Sequence, residues 1–114
     1  MSLKEGKNHV DLTGMRVPYL PEDVVDNFSS KDPIELFSEW FTKAKSTESI
    51  KEANAMALAT ADKSGKPSVR YLLLKGYSKY GFIFFSNYNS RKGQEIAENP
   101  RGALLFYWES LCLQ

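Results

Sequence analysis

Ala55-Met-Ala-Leu-Ala-Thr-Ala61, Asp62-Lys-Ser-Gly-Lys-Pro67 and Ser68-Val-Arg-Tyr-Leu-Leu-Leu-Lys75 follow one another without a break. Their order decides the fold. The first run is small and aliphatic, bounded by turn-forming residues, and reads as a strand. The second is a hairpin connection, with Gly65 available for a positive φ. The third, from Val69 to Lys75, reads as a second strand antiparallel to the first.

Working outward, Asp32-Pro33-Ile34-Glu35 reads as a helix start, with Asp32 as N-cap, Pro33 at the first helical position and Glu35 three residues after the cap. Leu36, Phe37, Trp40, Phe41 and Ala44 then recur at helical spacing, and the helix is expected to end between Lys45 and Ser49. After the hairpin, 76–81 reads as a turn and Phe82 to Ser86 as a third strand. Ser90 can cap a helix from Arg91 to about Glu98, closed by Asn99-Pro100, and Ala103 to Trp108 reads as a fourth strand. Residues 1–30 are polar, without sustained periodicity, and read as an extended leader before a folded part at 31–114. The expected class is mainly β with helices, a small barrel left incomplete because four strands leave an open edge.

Composition narrows the chemistry. A net charge of +1 gives no general attraction to nucleic acid or to an anionic membrane, so anion binding must come from local placement of Arg and Lys. A single cysteine, Cys112, excludes a Cys-rich metal site and an intrachain disulfide, and a single histidine, His9, in a polar leader, excludes a His-based metal cluster and a Ser-His-Asp triad. No apolar run approaches membrane-span length, and the N-terminus has no apolar signal core, so a cytoplasmic protein is expected.

What remains is a set of cations at element ends. Arg70 and Lys75 lie five residues apart on one strand, an odd number that sends them to opposite faces. Leu72 and Leu74 share the face of Arg70; Tyr71 and Leu73 share that of Lys75. Arg91 and Lys92 open a helix, where cations oppose the helix dipole unless an anion is also held there. Ser86 adds a neutral donor. Together these suit a phosphate ester: fixed donors on rigid backbone, with apolar walls beside them. Each has a plainer alternative. Arg70 can form a rim salt bridge to Asp or Glu, Arg91-Lys92 can be a solvated face, and Phe84, Phe85, Tyr107 and Trp108 can be core rather than the wall of a ring-binding site. Arg16 and Tyr19, in the leader, can close over a ligand or belong to a loose tail.

At these residues the chain resembles the pyridoxine (pyridoxamine) 5′-phosphate oxidase family. The resemblance runs from about Met15 to Trp108. It rests on Asp-Pro-x-x-x-Phe-x-x-Trp at 32–40, Ala-Asn-Ala-Met at 53–56, Ala-Thr at 59–60 and Gly-Lys-Pro-Ser-x-Arg-x-Leu-Leu-Leu-Lys-Gly at 65–76. Gly-Phe-x-Phe-Phe-x-Asn at 81–87, Ser-Arg-Lys-Gly at 90–93 and Leu-x-Phe-Tyr-Trp at 104–108 continue it.

The resemblance implies a split β-barrel, FMN as cofactor and a homodimer whose subunits build the sites together. It implies oxidation of pyridoxine or pyridoxamine 5′-phosphate to pyridoxal 5′-phosphate, with O₂ going to H₂O₂. Arg70, Tyr71, Leu72, Leu73, Phe85, Ser86, Arg91 and Lys92 would contact FMN, the cations mainly through its phosphate. Lys75 would bind the substrate phosphate, and the Arg16-x-x-Tyr19 motif would cover the substrate. Gln114 falls where the family has a flavin-contacting glutamine, although Ser110-Leu-Cys-Leu before it departs from the family pattern. The resemblance also implies a C-terminal half, with further phosphate ligands and an Arg-x-His pair, that this sequence does not contain. The chain alone is therefore expected to be inactive or nearly so. The alternatives are a non-catalytic binder of FMN or pyridoxal phosphate, and a related split-barrel flavoprotein with another reductant; Lys75 and the Arg16-x-x-Tyr19 leader weigh against the latter.

Overall fold

The computed structural model describes residues 9–17 and 32–114. Tyr19 lies outside the described residues, with most of the proposed leader. Helix α1, Pro33–Lys45, starts as the sequence requires: the Asp32 carboxylate accepts from the backbone N–H of Ile34 at 2.8 Å and of Glu35 at 3.3 Å. Its apolar stripe lands on the core. The Phe37 ring lies about edge-on to Tyr77 and Phe82, at 5.0 and 4.9 Å, and 5.1 Å from Phe106.

Strands β1 (Ala55–Ala61) and β2 (Pro67–Leu73) pair antiparallel, from Ala55↔Leu73 to Ala61↔Pro67. Gly65 closes the hairpin at φ 90°, and the Asp62 carboxylate braces it by accepting from the Ser64 N–H and hydroxyl and from the Lys66 N–H. On its other side β1 pairs with β5, Gly102–Leu105, in the order β2-β1-β5. Side chains alternate across this sheet. Met56, Leu58 and Thr60 point inward with Arg70 and Leu72, whereas Val69, Tyr71 and Leu105 on the other face are exposed.

Four segments differ from the sequence expectation. Residues 76–81 are not merely a turn: β3, Gly76–Ser78, pairs with β4, Gly81–Ile83, as a second small sheet. Tyr77 explains this, because its ring packs on Phe37 and its hydroxyl meets Ser38 Oγ at 2.9 Å, which draws the segment onto α1. β2 accordingly stops at Leu73, and the Lys75 N–H passes to Ile83 O. The expected third strand is cut to Gly81–Ile83: Phe84 turns toward the core and Phe85 outward, with no ladder partner.

The expected fourth strand ends at Leu105 rather than Trp108. Trp108 is drawn inward, 3% exposed, with its indole N–H on Ala53 O at 3.0 Å. The chain then turns through a 3₁₀ segment, Glu109–Leu111, and pairs Leu113 back against Trp108. Leu111 and Leu113 pack on the core, which gives the unfamiliar Ser110-Leu-Cys-Leu segment an apolar role. The described residues thus form two antiparallel sheets and two α-helices around one aromatic core, without a closed barrel.

Candidate functional site

Helix α2, Arg91–Glu98, is capped by Ser90, whose hydroxyl oxygen accepts from the Gly93 N–H at 3.2 Å. Gly93 is required here: a Cβ would fall 2.5 Å from Asn87 O and 2.9 Å from Tyr88 O, so the first turn rests directly on the preceding loop. One turn further along, Glu95 points under the hairpin and is only 5% exposed. It is the electrostatic centre of this end of the molecule.

The register of β1 on β2 explains its partners. Thr60 and Ser68 face each other across the hairpin, and Arg70, two residues beyond Ser68, shares their face. The Thr60 hydroxyl donates to Glu95 Oε2, and the Ser68 hydroxyl lies 2.6–2.7 Å from both carboxylate oxygens. The same two hydroxyl oxygens accept from Arg70, Thr60 Oγ1 at 2.8 Å and Ser68 Oγ at 3.0 Å, while Leu58 O takes a further guanidinium N–H at 3.0 Å. A hydroxyl can accept and donate at once, so each serves as a relay between guanidinium and carboxylate. Arg70 also approaches Glu95 directly at 3.7 Å, and Arg91 Nε donates to it at 3.0 Å. The Ser68 and Thr60 hydroxyls, with Arg91 behind them, hold the Glu95 carboxyl below the usual glutamate value against the opposing effect of burial.

The rim salt bridge that the sequence left open for Arg70 is therefore present. Sequence reasoning missed its partner. The available signals were the four-residue spacing of Arg91 and Glu95 on one helix and the hydroxyl pair facing across the hairpin.

Around this centre the α2 start remains open. The Arg91 side chain is 62% exposed, and Lys92 Nζ lies 3.5 Å from Ser90 Oγ. Ser86 and Phe85 precede them in the loop, both exposed. The other candidates lie elsewhere. Leu72 packs against the core and Leu73 is half-buried, whereas Tyr71 is 85% exposed on the outer sheet face. Gln114, exposed, lines a cavity of about 380 Å³ with Tyr71, Leu105 and Tyr107. Lys75 lines a separate groove against the end of α1. Arg16 is exposed. Of the four aromatics, Phe84 and Trp108 belong to the core, and Phe85 and Tyr107 face outward. Among the described residues no cluster of His, Cys, Asp and Glu could hold a metal, and no helix is long and apolar enough to cross a membrane.

Known proteins are similar to this chain in sequence and in fold. The chain is 49% identical over 105 residues to pyridoxine-5′-phosphate oxidase of Bos taurus, covering 90% of this chain and 40% of that protein. It is 47% identical over 102 residues to the chloroplastic pyridoxine/pyridoxamine 5′-phosphate oxidase 1 of Arabidopsis thaliana, covering 90% and 19% respectively. The chain thus spans less than half the length of these relatives. Among solved structures, PhzG from Burkholderia lata, in complex with tetrahydrophenazine-1-carboxylic acid, superposes with a TM-score of 0.69 at 31% identity, over 82% of this chain and 44% of that one. The family model for pyridoxamine 5′-phosphate oxidase matches residues 42–114, from the last turn of α1 through β5 to Gln114. With that match across most of its length, the chain belongs to the pyridoxamine 5′-phosphate oxidase family.

Proposed function

We propose that this chain supplies the cofactor-phosphate residues of an FMN-dependent oxidase of B6 phosphates, built as an incomplete split β-barrel. The observation that carries the reading is the group of donors at the start of α2 and in the loop before it, Arg91 and Ser86 exposed and Lys92 half-buried, in a member of this family. That donor set suits the phosphate of FMN, because a helix N-terminus and two cations favour a dianion. Arg70 stands behind it, and Tyr71, Leu72, Leu73, Phe85 and Gln114 are the proposed contacts for the rest of the cofactor. Lys75, Arg16 and Tyr19 are the proposed contacts of the substrate. FMN, when bound, supplies the two-electron redox chemistry and the reactivity toward O₂.

The overall reaction balances as pyridoxine 5′-phosphate plus O₂ to pyridoxal 5′-phosphate plus H₂O₂. With pyridoxamine 5′-phosphate, water is also consumed and ammonia released. The protein's part is to bind and orient. Arg91 and Lys92 anchor a phosphate, and Glu95 fixes Arg70 and Arg91 from behind. The exposed outer sheet face, with Val69, Tyr71 and Leu105, supports pairing of two subunits there.

The test is titration of FMN fluorescence against the chain and its variants. Lys92→Ala and Arg70→Ala should each weaken FMN by about 1.5–3 kcal/mol, the scale of a charge-assisted hydrogen bond. Unchanged affinity in both removes the phosphate assignment. A peroxide-coupled assay on the same samples separates an oxidase from a non-catalytic binder, since the latter holds FMN without turnover.

A further inference from the structure

Glu95 touches both arginines of the proposed phosphate site and leaves them in different states. Arg70 is almost fully engaged within the fold. Its Nη1 donates to Leu58 O at 3.0 Å and to Thr60 Oγ1 at 2.8 Å, and its Nη2 donates to Ser68 Oγ at 3.0 Å. Little of that guanidinium is left for a ligand. Arg91 is the reverse. Its Nε donates to Glu95 Oε1 at 3.0 Å, and the side chain is 62% exposed. Its terminal edge, Nη1 and Nη2, has no hydrogen-bond or ion-pair partner among the described residues. Two parallel N–H groups on such an edge are what grips a phosphate bidentately.

An exposed arginine loses rotamer freedom when it closes on a ligand, and that loss opposes binding. Here the bond at Nε has already removed part of the freedom, because its acceptor is itself fixed. Glu95 is 5% exposed, and its carboxylate accepts from the Ser68 hydroxyl at 2.6–2.7 Å and from the Thr60 hydroxyl. Those two residues face each other on paired strands. A line of contacts therefore runs from the β1–β2 ladder through Glu95 to the open edge of Arg91. Charge alone would give Glu95 the opposite effect. A carboxylate beside Arg70 and Arg91 lowers their attraction for an anion, so on charge alone phosphate would bind better without it.

We propose that Glu95 is a positioning residue for the ligand phosphate: held by Ser68 and Thr60, it anchors Arg91 through Nε so that the terminal guanidinium edge meets the phosphate, and this orientation outweighs the negative charge that Glu95 adds. The proposal rests on the FMN reading above for the identity of the ligand. Arg70 is the inner counterpart, which braces the two hydroxyls from behind.

The measurement is the ratio of FMN to riboflavin affinity. Riboflavin lacks only the phosphate, so it reports on the fold and on the rest of the site. Both flavins are titrated by fluorescence into the 114-residue chain, Glu95→Gln, Ser68→Ala, Arg91→Ala and the double variant R91A/E95Q. Glu95→Gln removes a negative charge at nearly constant volume; it should weaken FMN about tenfold, the scale of one charge-assisted hydrogen bond, and leave riboflavin unchanged. Ser68→Ala should act in the same direction more mildly. In the Arg91→Ala background, Glu95→Gln should no longer weaken FMN, because the two residues act as one unit. Circular dichroism identifies a variant that does not fold; should Glu95→Gln be one, Ser68→Ala, which keeps the carboxylate, carries the same comparison. FMN bound as tightly or more tightly by folded Glu95→Gln overturns the proposal, since charge then prevails. So does an equal loss of both flavins in a folded variant, or an effect of Glu95→Gln that is the same with and without Arg91. A wild-type chain that binds FMN no better than riboflavin removes the phosphate reading itself, and the proposal with it.

Discussion

Two regions of this molecule gather cations, and they do so in opposite ways. Beneath the hairpin, Arg70 and Arg91 converge on the buried carboxylate of Glu95, with the Thr60 and Ser68 hydroxyls filling the space between them. The groove against α1 is lined by Lys45, Lys51 and Lys75 and, among the described residues, by no acidic side chain. In the first arrangement a carboxylate of the fold itself faces the cations, which ties secondary structure together and leaves the exposed side of Arg91 open. In the second no carboxylate of the described residues does so. Guanidinium suits the first role, because its planar fork can satisfy a carbonyl and two hydroxyls at once; ammonium on a flexible stem suits the second. A cation count from sequence cannot separate the two, since the difference lies in where the nearest carboxylate folds.

The sharpest way to break this contrast is to remove what both regions share. Trp108 is buried behind α1 and hydrogen-bonded to Ala53, which itself lines the groove. Trp108→Ala should cost about 3–5 kcal/mol in urea unfolding, as for a large buried aromatic. FMN binding should then fail as well; its survival would show that the start of α2 does not depend on the common core.

Glu95→Ala should have the next largest effect, and only on the hairpin side. It leaves two hydroxyls without their acceptor and two guanidinium groups without their counter-charge, so the urea midpoint should fall clearly. Acid should act in the same direction. The Glu95 carboxyl is held lower in the folded chain than in the unfolded chain, chiefly by Ser68 and then Thr60. Its stabilising contribution is therefore complete above the unfolded glutamate value of about 4.3 and is lost as pH falls through the lower folded value. Unfolding midpoints of wild type and Glu95→Gln, followed from neutral pH downward, should converge in that acidic window. Parallel curves would show that the carboxylate does not link α2 to the hairpin.

The smallest effect belongs to the groove. Removing Lys45 and Lys51 together should shift stability by no more than about 0.5 kcal/mol, because relief of repulsion between surface cations offsets the helix-dipole interaction lost with Lys45. A marked loss would mean that these lysines hold the fold.

Much of this was legible in the sequence, for local reasons. Asp32-Pro33 fixes the start of α1, Gly65 the first hairpin and Ser90 the start of α2, each through neighbours within four residues. The aromatic spacing of α1 likewise announced a buried face. What was missed depends on contacts between distant residues. The β3–β4 hairpin follows from Tyr77 meeting Ser38, thirty-nine positions away. The early end of the last strand follows from Trp108 reaching Ala53, fifty-five positions away. The candidate site divides in the same way. Arg70, Arg91 and Lys92 were visible as cations at element ends, but the role of Glu95 required knowing that Thr60 and Ser68 lie opposite each other.

The Glu95 contacts also bear on how the native chain opens. A short helix such as α2 has little stability of its own and would ordinarily fray and re-form independently of its neighbours. Here its middle residue is bonded to both strands of the hairpin, at positions 60, 68 and 70. The helix and hairpin are thereby joined into a single cooperative unit, so that amide protons in α2 become accessible to solvent deuterium mainly when the β1–β2 ladder separates as well.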